Sequence, residues 1–210
     1  MEFESTGVST IYLRIPTQAI FEQLIDLKDL PESVLELAET RELVDEYLDT
    51  EDLALSALGM DLRTTIVAKH HFLIFNEIKR PGTLLASATE HVERLTPPEY
   101  AAARLGDRSN KLFSLAAGYA KAPLAPVLHR QATFQSRLFK VGETRFEFGL
   151  EAVVYQRNGK TVTEQLASLD LIQGDQEILE AMAHYLEDEF ELGRTYESTL
   201  VRGVRLVDQV

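Results

Sequence analysis

Alternation of apolar and polar residues recurs along most of this chain, and it constrains the fold more than any other feature. Side chains that alternate in this way lie on the two opposite faces of a β-strand. Asn158-Gly159 stands between two such runs, and this dipeptide is a strong short-range signal for a β-hairpin. Eight runs are predicted to be strands: residues 8–15, 41–48, 60–69, 70–80, 83–94, 131–141, 144–157 and 160–172.

Helical segments are predicted between these strands. Thr17 and Thr96 are suited to cap the helices that follow them, and Pro31 is suited to the first turn of a short helix. The predicted helical segments are residues 17–25, 32–39, 96–120 with a break at Gly106, and 174–192, and residues 51–58 are predicted to form a short amphipathic turn. This order predicts an α+β fold, an eight-stranded antiparallel β-barrel with helices packed outside. Such a barrel can enclose a cavity lined by every second strand residue.

Composition narrows the class of protein. The chain has 210 residues and 45% hydrophobic content, which predicts a single domain over residues 1–210 with one sizeable core. Its formal net charge of −13 argues against nucleic acid as a partner. There is no cysteine, so disulfides and thiolate metal sites are excluded. No apolar run reaches the roughly 18 residues of a membrane helix, and no signal peptide is recognised, so we expect a cytoplasmic protein without a membrane partner.

One stretch carries a recognisable order of motifs between the second and fourth predicted strands. A strand ends in Tyr47-Leu48-Asp49-Thr50, an apolar turn leads to Gly59, Leu62-Arg63 opens the next strand, and Lys79 precedes Pro81-Gly82. This order resembles the signature of the CYTH superfamily, the triphosphate tunnel metalloenzymes, which include class IV adenylate cyclases and thiamine triphosphatases. The resemblance extends from Val8 to about Arg202 and identifies the chain as a divergent member with an eight-stranded triphosphate tunnel.

The resemblance implies a set of phosphate-binding cations. In this family arginines and lysines hold a triphosphate inside the tunnel, because guanidinium and ammonium groups match phosphate oxygens. Arg63, Lys79 and Arg137 match family cations, Arg194 substitutes for a C-terminal lysine, and Arg14 adds a further cation on the tunnel face of the first strand. Thr65 stands where the family has a second arginine, so the basic half of the site is only partly kept.

The resemblance also implies carboxylates that hold Mg²⁺ or Mn²⁺, and here the sequence departs from the family. Asp170 matches one metal-binding position and Glu151 stands in for an aspartate on the preceding strand, whereas Ser168 stands where another acid is expected. The family's N-terminal glutamate–x–glutamate–x–lysine falls on Val8, Thr10 and Tyr12 in one register, or on Glu2, Glu4 and Thr6 in another. We favour the first register because Ile15-Pro16 then ends the strand just before the helix.

Several functions are compatible with this pattern. The favoured one is binding of a small phosphate-rich anion, of the triphosphate or polyphosphate type, in a basic tunnel with metal-dependent hydrolysis weakened or lost. One alternative is an active triphosphatase that uses Mg²⁺ or Mn²⁺. Another is a structural or partner-binding relic without a tunnel ligand. Catalytic residues cannot be assigned, and a homodimer is left open.

Overall fold

The structure is a computed structural model that describes residues 4–79 and 86–210, with the side chains of residues 9–77 and 88–210. These residues form the strands β1 (Glu4–Arg14), β2 (Val34–Asp49), β3 (Met60–Val67), β4 (His70–Lys79), β5 (Ala86–Leu95), β6 (Ala125–Val141), β7 (Thr144–Arg157), β8 (Lys160–Gln173) and β9 (Gly193–Thr195). They also form the helices α1 (Gln18–Ile25), α2 (Ala54–Ala57), α3 (Pro97–Arg104), α4 (Lys111–Ala120), α5 (Gln176–Phe190) and α6 (Thr199–Asp208). The predicted α+β class is confirmed.

The nine strands form one antiparallel sheet in the order β5-β4-β3-β2-β6-β7-β8-β1-β9. In addition, β1 pairs with β5, so that Glu4 lies opposite Val92 and Thr10 lies opposite Ala86. On its other edge β1 pairs with β8, beginning with Ser9 opposite Leu171. Strand β1 therefore pairs with β5 at one end of the order and with β8 and β9 toward the other end. One face of each long strand lines a common interior.

Two apolar layers cover the outside of this sheet. Helices α1 and α5 pack against β1, β6, β7 and β8, where Phe139, Phe146 and Phe148 are fully buried. Helices α2, α3 and α4 pack against β2, β3, β4 and β5 around Leu62 and Phe113. Both layers use the strand residues that alternate with the interior-facing ones, as the period of two requires. The prediction of helices outside the sheet holds for these five helices.

Helix α6 lies on the other face of the sheet. Its apolar residues form a cluster with Leu128 of β6, Tyr155 of β7 and Leu166 of β8. A Cβ atom at Gly203 would lie 2.6 Å from Leu128 Cδ2 and 2.7 Å from Tyr155 Cδ1, so the helix approaches the strands closely. The neighbouring residue in α6, Arg202, is buried, and its Nε donates a hydrogen bond to Glu164 of β8 at 2.9 Å. This helix was not predicted, and it fills part of the interior.

Local signals in the sequence gave several accurate predictions. Asn158 and Gly159 both have positive φ, at 50° and 77°, and they join β7 to β8 as a two-residue hairpin. The Thr17 side chain accepts a hydrogen bond from the Ile20 N–H at the start of α1. Thr96 and Glu99 form a capping box at the start of α3. These signals work because each depends only on neighbours in sequence.

The helix predicted over residues 32–39 is wrong. Strand β2 begins at Val34, which lies opposite Lys140 of β6, and the pairing continues to Asp49. The backbone groups of this segment are therefore satisfied by a strand about one hundred residues away in sequence, a partner that local propensity cannot reveal.

The turn between β2 and β3 explains one part of the recognised motif. The Asp49 carboxylate is fully buried and accepts hydrogen bonds from the backbone N–H groups of Thr50, Leu55 and Ser56, at 2.7, 2.9 and 3.0 Å. This aspartate therefore builds the turn and the start of α2 and does not face the interior. Among the described helices, none has the length and apolar character needed to cross a membrane.

Candidate ligand cavity

A cavity of about 530 Å³ lies in the interior of the sheet. Its lining comes from strands β1 to β9 and from residues 196–199, which lead into α6. The lining residues of β2 are Arg41, Leu43, Asp45 and Tyr47, every second residue of the strand. The cavity is therefore the interior that the alternating pattern predicts, reduced in size by α6.

The described lining is rich in acids. Seven carboxylates outnumber three guanidinium groups. The charged lining residues are Asp45, Asp61, Glu90, Glu147, Glu151, Asp170, Glu197, Arg41, Arg63 and Arg130. The prediction of a basic tunnel with only one or two acids does not describe this lining. The acids were missed because most of them lie on strands where the family resemblance places no metal ligand.

Arg130 of β6 forms the most buried charge cluster of the cavity. Its Nη1 donates to Asp45 Oδ2 and its Nη2 donates to Glu151 Oε2, each at 2.5 Å, and the residue is only 5% exposed. Asp45 also accepts a hydrogen bond from Thr65 Oγ1 at 2.8 Å. Arg130 thus links β6 to β2 and to β7 through one guanidinium group.

Arg63 of β3 is held in a similar way. Its Nη1 donates to Asp61 Oδ1 at 2.9 Å and its Nη2 donates to Glu90 Oε2 at 3.3 Å. The guanidinium carbon lies 5.9 Å from the centre of the Tyr47 ring, a cation–π distance. Burial raises the pKa of Asp61, while the Arg63 charge opposes that rise.

Arg41 of β2 is the most accessible of the three arginines. Its side chain is 39% exposed, and Nη2 donates to Glu147 Oε2 and to Ser136 Oγ, both at 3.1 Å. Glu39 Oε2 lies 3.5 Å from Nε. Each cavity arginine therefore lies between two carboxylates, and a phosphate group would have to compete with these carboxylates for it.

Asp170 of β8 differs from the other cavity acids. It accepts hydrogen bonds from the hydroxyl groups of Thr10, at 2.5 Å, and Ser168, at 3.0 Å, and has no cationic partner among the described residues. Glu147 lies directly opposite it on β7. Burial raises the pKa of Asp170 to about 6; the hydroxyl donors lower it, and the charges of Glu147 and Glu151 raise it. Asp170 can therefore change charge close to neutral pH.

The structure brings together three of the residues predicted for the site. Arg63, Glu151 and Asp170 line the cavity, together with Thr10 and Tyr12 of the favoured first-strand register. The side chains of Lys79, Glu4 and Val8 and all of Glu2 lie outside the described residues. Arg14 is exposed at the end of β1 and does not line the cavity.

Arg137 and Arg194 lie away from the cavity. Arg137 donates from Nη2 to the carbonyl of Ile25 in α1, on the outer face of β6. The cavity residue on that strand is Arg130, seven positions earlier, and an odd separation places two strand residues on opposite faces. Arg194 donates to Glu180 at 2.7 Å and to Glu187 at 2.8 Å, both on α5. The resemblance assigned Arg137 to the cavity because it matched residue type without fixing the face.

The donor set of the cavity suits a hard divalent cation only in part. Mg²⁺ prefers carboxylate oxygens and often takes one or two of them together with phosphate oxygens of a ligand. Asp170, with Glu147 opposite, offers such oxygens. Within the described part of the chain, however, no group of three or more acidic or histidine side chains is arranged to hold a metal by itself. The described residues therefore offer only part of the ligand set that a divalent cation needs.

Comparison with known proteins gives a consistent fold. Neither a protein-family model nor a curated protein matches the sequence. Among solved structures, the Hippeastrum protein HpAC1, an adenylyl cyclase candidate with a dominant triphosphatase activity, superposes with a TM-score of 0.65 at 13% identity over 95% of each chain. An adenylate cyclase candidate from Bacillus halodurans gives a TM-score of 0.64 at 11% identity over 96% of each chain. PH1819 from Pyrococcus horikoshii gives 0.54 at 14% identity, covering 97% of this chain and 99% of that one. At such identities the likeness shows the fold alone.

Proposed function

We propose, from the premise that the chain has a CYTH-like fold, that its cavity binds a triphosphate-type or polyphosphate-type anion together with Mg²⁺ or Mn²⁺. We propose further that metal-dependent hydrolysis of this anion is weakened or lost. The anionic ligand is the one expected from the sequence. Because the described lining is acidic, this anion is expected to bind only together with the metal.

The finer architecture is part of this proposal. The pairing of β1 with both β5 and β8 would close strands β1 to β8 into an eight-stranded barrel, so that the cavity becomes a triphosphate tunnel. Strand β9 and the start of α6 would then cover one side of that tunnel, since Thr195 and Thr199 both contribute to the lining.

One observation carries the proposal: Arg41, Arg63 and Arg130 come from three different strands and line one cavity. One guanidinium group can donate two parallel hydrogen bonds to a phosphate, and several guanidinium groups around one cavity suit a ligand with several phosphates. The same groups also need their present carboxylate partners, because an unpaired buried charge is costly. A phosphate ligand would therefore share the arginines with these carboxylates.

The excess of acids supplies the reason for the metal requirement. A triphosphate without a cation would meet four more negative than positive charges on the described lining. A divalent cation carried by the phosphates offsets part of this repulsion and gives a positive partner to Asp170, which has none among the described residues. When bound, such a metal would also neutralise charge on the phosphoryl group and activate water. In this chain Asp170 and Glu147 would orient the cation, and Arg41 and Arg63 would orient the phosphates.

Weakened hydrolysis is proposed because few oxygens are available for the metal. Glu147 and Glu151 are already engaged by Arg41 and Arg130. The Ser168 hydroxyl, in place of a further carboxylate, donates to Asp170 and cannot supply negative charge to a cation. Enzymes that hydrolyse phosphates with two metals need more hard ligands than this lining leaves free, because six of its seven described carboxylates are paired with arginine.

Isothermal titration of tripolyphosphate, with and without Mg²⁺ or Mn²⁺, tests the proposal when phosphate release is followed in the same samples. We expect binding that needs the metal, with little release. Arg41→Ala should weaken binding, whereas Arg104→Ala, a matched control in α3 whose side chain is 43% exposed and pairs with Glu46 of β2, should not. Rapid metal-dependent release would favour the active triphosphatase. No binding under any condition would favour the structural or partner-binding relic.

A further inference from the structure

Two tyrosines of the cavity lining carry hydroxyl groups without a hydrogen-bond partner in the described part of the chain. These are Tyr12 of β1 and Tyr47 of β2. By contrast, the hydroxyl group of Tyr155, which lies beside α6 and outside the cavity lining, donates to Glu164 Oε2 at 3.3 Å. Buried tyrosine hydroxyls generally have a partner, so water or a ligand in the cavity must accept from Tyr12 and Tyr47.

Both tyrosines are held firmly by their surroundings. Tyr47 is only 3% exposed, and its ring packs in the apolar cluster that includes Leu200 of α6. The backbone of Tyr12 is paired on both edges of β1, opposite Ser168 of β8 on one edge and opposite Thr195 of β9 on the other. Since these residues are already ordered, a ligand that accepts from their hydroxyl groups pays little entropy to immobilise them.

The two phenol groups lie near one guanidinium group. Burial raises the pKa of Tyr12 and the pKa of Tyr47 well above the usual value of 10, and the positive charge of Arg63 opposes both shifts. Arg63 is therefore close to both phenols, and its guanidinium carbon lies 5.9 Å from the centre of the Tyr47 ring. Because both pKa values are raised, both phenols stay protonated at neutral pH and remain hydrogen-bond donors.

A negatively charged oxygen is the acceptor that suits this position. The positive charge of Arg63 favours such an oxygen, although two carboxylates already accept hydrogen bonds from its guanidinium group. The metal position proposed at Asp170 lies further along β1, because Asp170 is opposite Thr10, two residues before Tyr12. Two residues of a strand span about 6.6 Å. A chain of linked phosphate groups therefore suits both positions better than a single phosphate does.

We propose that the hydroxyl groups of Tyr12 and Tyr47 bind one phosphate group of an oligophosphate chain, beside Arg63 and apart from the phosphate group that carries the metal. This inference rests on the proposed function, because it names residues that bind the same ligand. The phenols add hydrogen bonds without adding charge, and the metal at Asp170 offsets the negative charge of the chain. The site therefore selects a ligand that is long enough to reach both positions.

Isothermal titration of tripolyphosphate with Mg²⁺ against Tyr12→Phe and Tyr47→Phe tests the two hydroxyl groups. Each variant should bind about tenfold more weakly than the parent, because a hydrogen bond to a charged oxygen is lost. Tyr100→Phe is the matched control: it removes the hydroxyl group of a buried tyrosine in α3, outside the cavity lining, and should bind as the parent does. Unchanged affinity in either cavity variant would overturn this inference alone. No binding by the parent would overturn the proposed function as well.

Stability measurements separate contact with the ligand from a structural role. Without ligand, Tyr12→Phe and Tyr47→Phe should unfold at the urea concentration of the parent or above it, because no hydrogen bond within the described protein is lost. Tyr155→Phe should unfold at a lower concentration, because its bond to Glu164 is lost. A lower midpoint for either cavity variant would mean that its hydroxyl group has a partner within the protein, and would overturn the proposal.

NMR of protein labelled with ¹³C at the tyrosine ζ carbon observes the phenols directly. Tripolyphosphate with Mg²⁺ should shift the signals of Tyr12 and Tyr47, assigned from their phenylalanine variants, and should leave the signal of Tyr100 in place. Binding of tripolyphosphate without a shift of the two cavity signals would overturn the proposal, because the ligand would then lie away from both hydroxyl groups.

Discussion

The two faces of strands β6, β7 and β8 differ in the chemistry of their side chains: the outer face is apolar, whereas the inner face carries charged groups at the cavity. On the outer face, Phe139, Phe146 and Phe148 pack against helices and are fully buried. On the inner face, beside the apolar residues that contact α6, the buried Arg130 pairs with the half-buried Glu151 at the cavity. The outer face gains stability from apolar burial, which needs no exact partner. The inner face needs partners for its buried charges, and Asp170 has no cationic partner among the described residues, so it is the face on which a ligand can be recognised.

The largest expected effect comes from a substitution on the outer face, which tests whether this face supplies most of the stability. Phe148→Ala should lower the free energy of unfolding by about 3–5 kcal/mol, because it removes a fully buried ring from a packed core. Urea denaturation measures this loss. Tripolyphosphate affinity of the remaining folded protein should be unchanged, because the side chain does not line the cavity. A loss below about 1 kcal/mol would mean that the outer layer is not the main core.

Two arginines on β6 compare the faces within one strand. Arg130→Met should cost about 3 kcal/mol, because it leaves Asp45 and Glu151 unpaired. Arg137→Met should cost only about 1 kcal/mol, because it loses a hydrogen bond to one carbonyl. Chemical denaturation of both variants gives the ranking. Equal losses, or the reverse order, would contradict the placement of Arg130 as the charge that links three strands.

A pair of glycines tests the position of α6 on the inner face. Gly203→Ala should destabilise the protein by about 1–3 kcal/mol, because the new Cβ would contact Leu128 and Tyr155. Gly118→Ala in α4 is the matched control: nothing lies within 4 Å of its Cβ, so the change should be neutral or stabilise by up to about 1 kcal/mol. Thermal unfolding of the two variants compares them. Tolerance of alanine at Gly203 would place α6 farther from the sheet.

Asp170 gives the inner face a dependence on pH. Its pKa is raised from 3.8 to about 6, so the folded chain holds this proton more tightly than the unfolded chain. The aspartate therefore lowers stability as pH rises from about 4 to 6. Asp170→Asn should be more stable than the parent by about 1–2 kcal/mol at pH 8, and this advantage should disappear near pH 4. If the stability difference between Asp170→Asn and the parent is the same at pH 8 and pH 4, Asp170 is not the group that titrates.

Sequence reasoning was accurate where a signal is local or periodic. The hairpin at Asn158-Gly159 and the helix cap at Thr17 depend on a few neighbouring residues, and most strands followed from alternation. It failed where the answer depends on distant partners. The segment 32–39 becomes a strand only through β6, and Asp45 contacts Arg130 only because β2 and β6 pair in that register. The assignment of Arg137 to the cavity was wrong because Arg137 lies on the outer face of β6. Which alternating set of a strand faces the cavity depends on how the whole sheet pairs.

The most direct test of the central claim is isothermal titration of tripolyphosphate against the parent chain and Asp170→Asn, each with and without Mg²⁺ at pH 8. We expect the parent to bind tightly only with Mg²⁺, because its described cavity carries an excess of carboxylates. The variant should lose much of that gain from Mg²⁺, because it lacks a charged oxygen for the cation. The same Mg²⁺ dependence in both proteins, or tight binding to the parent without metal, would contradict the account.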